Sequence, residues 1–224
     1  MLKFYYNTGP NPMKVALFLE ESGLPYEAIP VDGRKGDQHK PEYKAINPNA
    51  KAPSIVDDGT AVFDSNAILL YLAEKTGQFT GPAAKRGEML SWLMFVATGV
   101  GPYSGQSVHF RHHAPERLEY PTTRYMFEAR RHYGILDAHL ANNKYMLGDD
   151  YSIVDMAVWG WARLLPVVLG DDALPSMPNL KRLVDELSAR PAGQRAVALK
   201  DRHAFKAEMD ADAMKNMFPS IKTA

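Results

Sequence analysis

Two residue pairs, Ala52-Pro53 and Asp64-Ser65, carry the most specific chemistry in this chain of 224 residues. Pro53 stands directly before the apolar run Ser54-Ile55-Val56, which reads as a strand, and proline fits there only at a strand start, an edge or a special turn. X-Pro is the one linkage in which the cis form lies only about 0.5–1 kcal/mol above trans. In a cis arrangement Ala52 turns its backbone N–H and C=O outward, where an extended, peptide-like ligand can pair with them. Further on, Asp64-Ser65 falls at a predicted helix start. Ser65 is a good N-cap, and Ile68, Leu69, Leu72 and Ala73 follow at helical spacing. A helix N-terminus bearing a hydroxyl attracts a carboxylate, and the Asp64 carboxylate attracts an amine. One α-amino acid group satisfies both.

The elements that must hold these residues follow from the local patterns. Leu2 to Tyr6 reads as a strand, and Pro10 or Pro12 opens a helix whose apolar positions are Val15, Ala16, Phe18 and Leu19, ended by Gly23. Tyr26 to Val31 and Ser54 to Val56 read as strands, and Asp57-Asp58-Gly59-Thr60 as a hairpin turn into Ala61-Val62-Phe63. Strand, helix, strand, hairpin and helix is the order of a thioredoxin-like domain. Thr76 to Pro82 has the Gly, Thr and Pro content of a linker, and the linker between domains is placed at residues 78–85. Helical patterns then run over about 86–100, 122–141, 152–169, 178–189 and 194–199. The expected fold is therefore α+β: a thioredoxin-like domain over 1–77 and an all-helical domain over 86–224. Ser152-Ile153-Val154-Asp155 has capping-box spacing, a folding device rather than a catalytic one.

Composition removes several function classes. Lys+Arg and Asp+Glu balance at 26 each, and no basic run draws the chain to nucleic acid or an anionic membrane. No apolar run approaches the roughly 18 residues of a membrane span, and the first residues do not read as a signal peptide, so a cytoplasmic location is expected. The count of zero Cys excludes a disulfide framework, a Cys nucleophile and thiolate metal sites. Sulfur chemistry must come from a substrate. His109, His112 and His113 lie close together, but they lack the spacing of a metal site, and no metal is expected.

The two pairs, together with Pro10-Asn11 before Lys14-Val15, Gly36-Asp37-Gln38 ahead of Pro41-Glu42, and Gly101-Pro102 to His109-Phe110, resemble the glutathione transferase superfamily. Within it the chain looks most like the bacterial Nu class, related to yeast Ure2-like proteins. The resemblance spans nearly the whole sequence. It implies that Ala52 pairs with the cysteinyl backbone of glutathione, that Asp64 and Ser65 grip its γ-glutamyl group, and that Gln38 and Lys51 lie near its glycyl end.

Tyr6 to Met13 joins the first strand to the first helix, where a glutathione thiolate would meet the positive end of a helix, which lowers a thiol pKa. The candidate donors to that sulfur are the Asn11 amide, the Thr8 hydroxyl and backbone N–H groups from Gly9 onward. In the Nu class a Thr and an Asn two positions apart flank the sulfur. Asn11 matches, whereas the position two before it is Gly9, with Thr8 displaced by one. Tyr5 and Tyr6 are alternatives, as other transferase classes use a tyrosine hydroxyl. His109 and Phe110 are expected on the second-substrate cleft, and Arg124 and Arg131 are candidates to pair with a glutathione carboxylate.

The function implied is glutathione-dependent disulfide exchange by a homodimer, with glutathione as cosubstrate and a small disulfide or electrophile as the second substrate. Two alternatives stand beside it. One is conjugation, or aryl-ether or thioether cleavage, by the same thiolate. The other is a glutathione-binding regulatory module without turnover, favoured by the Gly9 departure.

Overall fold

A computed structural model of the protein describes residues 1–221. The described residues form two compact units, residues 1–71 together with those from Pro191 onward, and residues 72–190. This division differs from the expected one at both ends. The first boundary falls inside a helix, and the C-terminal residues group with the first unit instead of the helical one.

The first unit is built on a four-stranded sheet of order β2-β1-β3-β4, with β1 Leu2–Tyr6, β2 Tyr26–Pro30, β3 Ser54–Asp57 and β4 Thr60–Phe63. β1 runs parallel to β2 and antiparallel to β3, and β3 pairs antiparallel with β4. The crossover between the parallel pair is α1, Pro10–Ser22, as parallel strands require. Its residues Met13 to Leu19 are buried, and so are Leu2, Phe4 and Tyr6 of β1 and Ile55 of β3. The β3–β4 turn has Asp58 at φ 46° and Gly59 at φ 89°, the two positive values of a type I′ hairpin. A short helix α2, Pro41–Ile46, precedes β3, and α3, Ser65–Thr76, follows β4.

The second unit is helical. It contains α4 Arg86–Phe95, a π-helical stretch Val96–Val100, α5 Gly101–His112, α6 Glu119–Leu140, α7 Ile153–Ala162, α8 Leu165–Leu169 and α9 Pro178–Ala189. The single helix expected over 152–169 is two, with Pro166 in the first turn of the second, where its missing N–H costs nothing. The Ser152 capping box forms as read: the Ser152 hydroxyl accepts from Val154 N, and the Asp155 carboxylate accepts from Ser152 N at 2.9 Å. Asp155 also accepts from Met146 N at 2.7 Å, tying the preceding turn to α7.

In the C-terminal segment, α10 Pro191–Ala198 packs along α1, and Arg195 pairs with Glu20 at 2.8 Å. The chain then lies against the loop after β2. Arg34 donates from Nη1 to the carbonyls of Lys206 and Ala207, each at 2.8 Å, and Asp32 accepts from Lys206 N at 2.7 Å. A final helix α11, Ala211–Met217, closes the segment, capped by Asp210.

Candidate functional site

Asp64 turns the chain from β4 into α3 with φ 70°, a left-handed conformation that Asp tolerates better than most residues. Its Oδ1 accepts from Asn66 N at 2.9 Å and Ala67 N at 3.1 Å, and its carbonyl accepts from Ile68 N. Asp64 is therefore the N-cap, a correction to the expectation for Ser65. One carboxylate oxygen satisfies two of the orphan donors of the first turn. Ser65 becomes the first helical residue and is buried, while the Asp64 side chain stays exposed.

Beneath this turn lies Lys14 of α1, only 1% exposed. Its Nζ donates to Ser65 Oγ at 3.3 Å and Asn66 Oδ1 at 3.4 Å. Burial lowers its pKa to about 7, against the field of Asp64, which favours the ammonium. Sequence reasoning quotes Lys14 only within a family motif and gives it no role, because nothing local separates a lysine that enters the core from one on the surface.

At the start of α1, Thr8 is exposed and Asn11 half-buried. Asn7 Oδ1 accepts from Gly9 N at 2.9 Å, and Met13 N donates to the Gly9 carbonyl at 3.3 Å. Pro10 and Pro12 have no N–H. Of the expected backbone donors, Gly9 N and Met13 N are thus engaged within the loop itself, and Pro10 and Pro12 offer none. Tyr6 is turned elsewhere. Its hydroxyl donates to the Leu199 carbonyl at 2.9 Å and accepts from His203 Nδ1 at 2.9 Å. Burial raises its pKa, against the opposing field of Arg202.

The Ala52-Pro53 bond is cis. Tyr43 of α2 braces both flanks of this bond, donating to the Lys51 carbonyl at 3.0 Å and bonding Ser54 Oγ at 3.1 Å. Asn47 Nδ2 donates to the same carbonyl at 2.6 Å. The Lys51 side chain is exposed. Gln38 is mostly buried, with Nε2 donating to the carbonyls of Gly33 and Asn216, each at 3.1 Å. Its side chain is thus committed in part to the C-terminal segment, a partner more than 170 positions away that local sequence does not reveal.

The remaining expected residues lie in the helical unit. Arg124 and Arg131 both pair with Glu128, each at 2.9 Å. The Arg131 hydrogen bond, with both guanidinium fields, holds the Glu128 carboxyl below its ordinary range. His109 and Phe110 sit edge to face, and Phe110 stacks on Tyr125 at 5.3 Å. Among the described residues no cluster of three His, Cys, Asp or Glu is placed to hold a metal ion, and no helix is long and apolar enough to cross a membrane.

Comparison with known proteins matches residues 8–75 to the family model for the glutathione S-transferase N-terminal domain and residues 99–191 to that for the C-terminal domain. The chain is 40% identical over 205 residues to the disulfide-bond oxidoreductase YfcG of Escherichia coli, covering 88% of this chain and 94% of that one. It is 38% identical over 213 residues to YghU of the same organism, also a disulfide-bond oxidoreductase, covering 87% and 73%. Among solved structures, a glutathione transferase family member from Pseudomonas fluorescens with two glutathione bound is 39% identical, with a TM-score of 0.83 over 88% of this chain and 92% of that one. A Pseudomonas putida glutathione transferase with one glutathione disulfide bound per subunit is 36% identical, also at 0.83, covering 89% and 91%. With two domain models matched in order and relatives of this similarity over most of its length, the chain belongs to the glutathione S-transferase family.

Proposed function

We propose that this chain is a glutathione-dependent disulfide-bond oxidoreductase. The observation that carries the reading is that a chain with no cysteine is similar over most of its length to disulfide-bond oxidoreductases. The reacting sulfur must then belong to glutathione.

In this reading Asp64 offers its charge to the γ-glutamyl ammonium, while Ser65 and the start of α3 receive the adjoining carboxylate. The backbone of Ala52, held by the bonds around Pro53, pairs with the cysteinyl unit, and Gln38 and Lys51 lie toward the glycyl end. The sulfur is at the start of α1, where Asn11, with Thr8 as second donor, stabilises the thiolate. That thiolate attacks one sulfur of the substrate disulfide. The S–S bond breaks, one substrate thiolate leaves and takes a proton, and a mixed disulfide with glutathione forms. A second glutathione thiolate attacks the mixed disulfide, giving glutathione disulfide and the second substrate thiol. The Pseudomonas relatives with two glutathione or one glutathione disulfide bound support this stoichiometry. His109 and Phe110 contact the second substrate, and Arg124 and Arg131 face a glutathione carboxylate. Likeness to the family supports a homodimer, and composition supports a cytoplasmic location.

The test is the rate of hydroxyethyl disulfide reduction with glutathione, beside conjugation of chlorodinitrobenzene. Disulfide reduction well above conjugation is expected. Conjugation dominating would give the transferase alternative, and glutathione binding without either reaction would give the regulatory one.

A further inference from the structure

Lys14 is used by none of the steps above, yet a lysine head group this deeply buried is rare without a purpose or a partner of opposite charge in direct contact. Its two hydrogen-bond partners are neutral oxygens, Ser65 Oγ and Asn66 Oδ1. An ammonium has three N–H donors and no acceptor. Ser65 Oγ must therefore accept from it, and the single Ser65 O–H proton is left to point away from Lys14. A neutral amine has a lone pair and can accept that proton instead, turning the hydroxyl inward.

We propose that Lys14 is a positioning residue of the γ-glutamyl site: its buried ammonium turns the Ser65 hydroxyl proton toward the ligand carboxylate, and loss of one proton from Lys14 releases that bias. The inference rests on the glutathione reading given above. The charged group acting on Lys14 from α3 is Asp64, and the other α3 groups facing it, Ser65 and Asn66, are neutral. From α10, which also packs on α1, the charged side chain Arg195 is engaged with Glu20 at the other end of the helix. Burial places the change near neutral pH, since it lowers Lys14 to about 7. By linkage, a bound carboxylate must favour the ammonium as much as the ammonium favours the carboxylate.

The experiment measures the dissociation constant of S-methylglutathione by calorimetry from about pH 6 to about pH 8.5 for the wild type, Lys14→Met and Lys14→Arg. This ligand has no thiol, so thiolate formation cannot contribute, and its own amine titrates alike in all three proteins. Wild-type affinity should fall about tenfold more across the window than that of either variant, a factor equal to one pKa unit of coupling. Lys14→Arg, which stays protonated, should keep the low-pH affinity throughout. Lys14→Met should be weak at low pH and meet the wild type at high pH. Parallel profiles for the wild type and Lys14→Met would overturn the inference while leaving the glutathione reading intact. No binding at any pH would contradict both. Should the variants fail to fold, NMR of lysine labelled at Cε in the wild type decides the matter without them. The Lys14 midpoint must move upward when S-methylglutathione is added, and an unmoved midpoint sinks the inference.

Discussion

At the start of α3 the Asp64 carboxylate holds two helix N–H groups through Oδ1, while its charge is the one proposed to receive the ligand ammonium. Substitution separates these roles. Asp64→Asn keeps an amide oxygen for the cap and a side chain that tolerates positive φ, but removes the charge. It should leave thermal stability nearly unchanged while weakening glutathione about ten- to a hundredfold, the equivalent of a charged hydrogen bond of about 1.5–3 kcal/mol. Asp64→Ala should lose the same affinity and, in addition, about 1 kcal/mol of stability with the cap. Glutathione affinity within twofold of wild type in Asp64→Asn would refute the γ-glutamyl assignment. The pair Asp64-Ser65 is legible in the sequence as a helix start. Which of the two is the cap is not, because both residue types cap well and the left-handed backbone that settles it is set by the approach from β4.

Among the elements, those governed by local pattern are the readable ones. The S-x-x-D spacing of Ser152 and Asp155 marks the start of α7, and the Asp-Asp-Gly-Thr turn marks the β3–β4 hairpin. The capping box carries a prediction of its own. Asp155 is fully buried and accepts from Ser152 N, Ser152 Oγ and Met146 N. Asp155→Ala leaves those buried donors without an acceptor, at about 1–3 kcal/mol each. Urea unfolding should show a loss of roughly 3 kcal/mol or more, and a loss below about 1 kcal/mol would mean that water or a rearranged turn replaces the carboxylate. The C-terminal segment is not readable in this way. Its place is fixed by Arg34 with the Lys206 and Ala207 carbonyls, by Gln38 with Asn216 and by Tyr6 with Leu199, partners 170 or more positions apart. No window of local periodicity contains both members of such a pair. The burial of Lys14 escapes for the same reason, since its partners lie on another helix.

For the molecule as a whole, the charge balance of 26 against 26 means that no net repulsion opposes self-association, and Phe63, Met94 and Phe127 leave large apolar groups exposed on a single chain. Light scattering at micromolar concentration should give twice the 25.0 kDa of one chain, and a monomer would count against the homodimer. The chemistry itself turns on the sulfur, and the absence of cysteine makes its ionisation directly measurable. Any thiolate absorbance in the far ultraviolet that appears on mixing with glutathione belongs to glutathione, provided the tyrosine signal of the protein alone is subtracted. The decisive measurement is the pH titration of that absorbance with glutathione bound. A thiolate held by Asn11 and the start of α1 should titrate with a midpoint at least about one unit below that of free glutathione, shifted back upward by Asn11→Ala and left in place by Tyr6→Phe. A midpoint equal to that of free glutathione, or one that moves only with Tyr6→Phe, would contradict the assignment of the sulfur to Asn11.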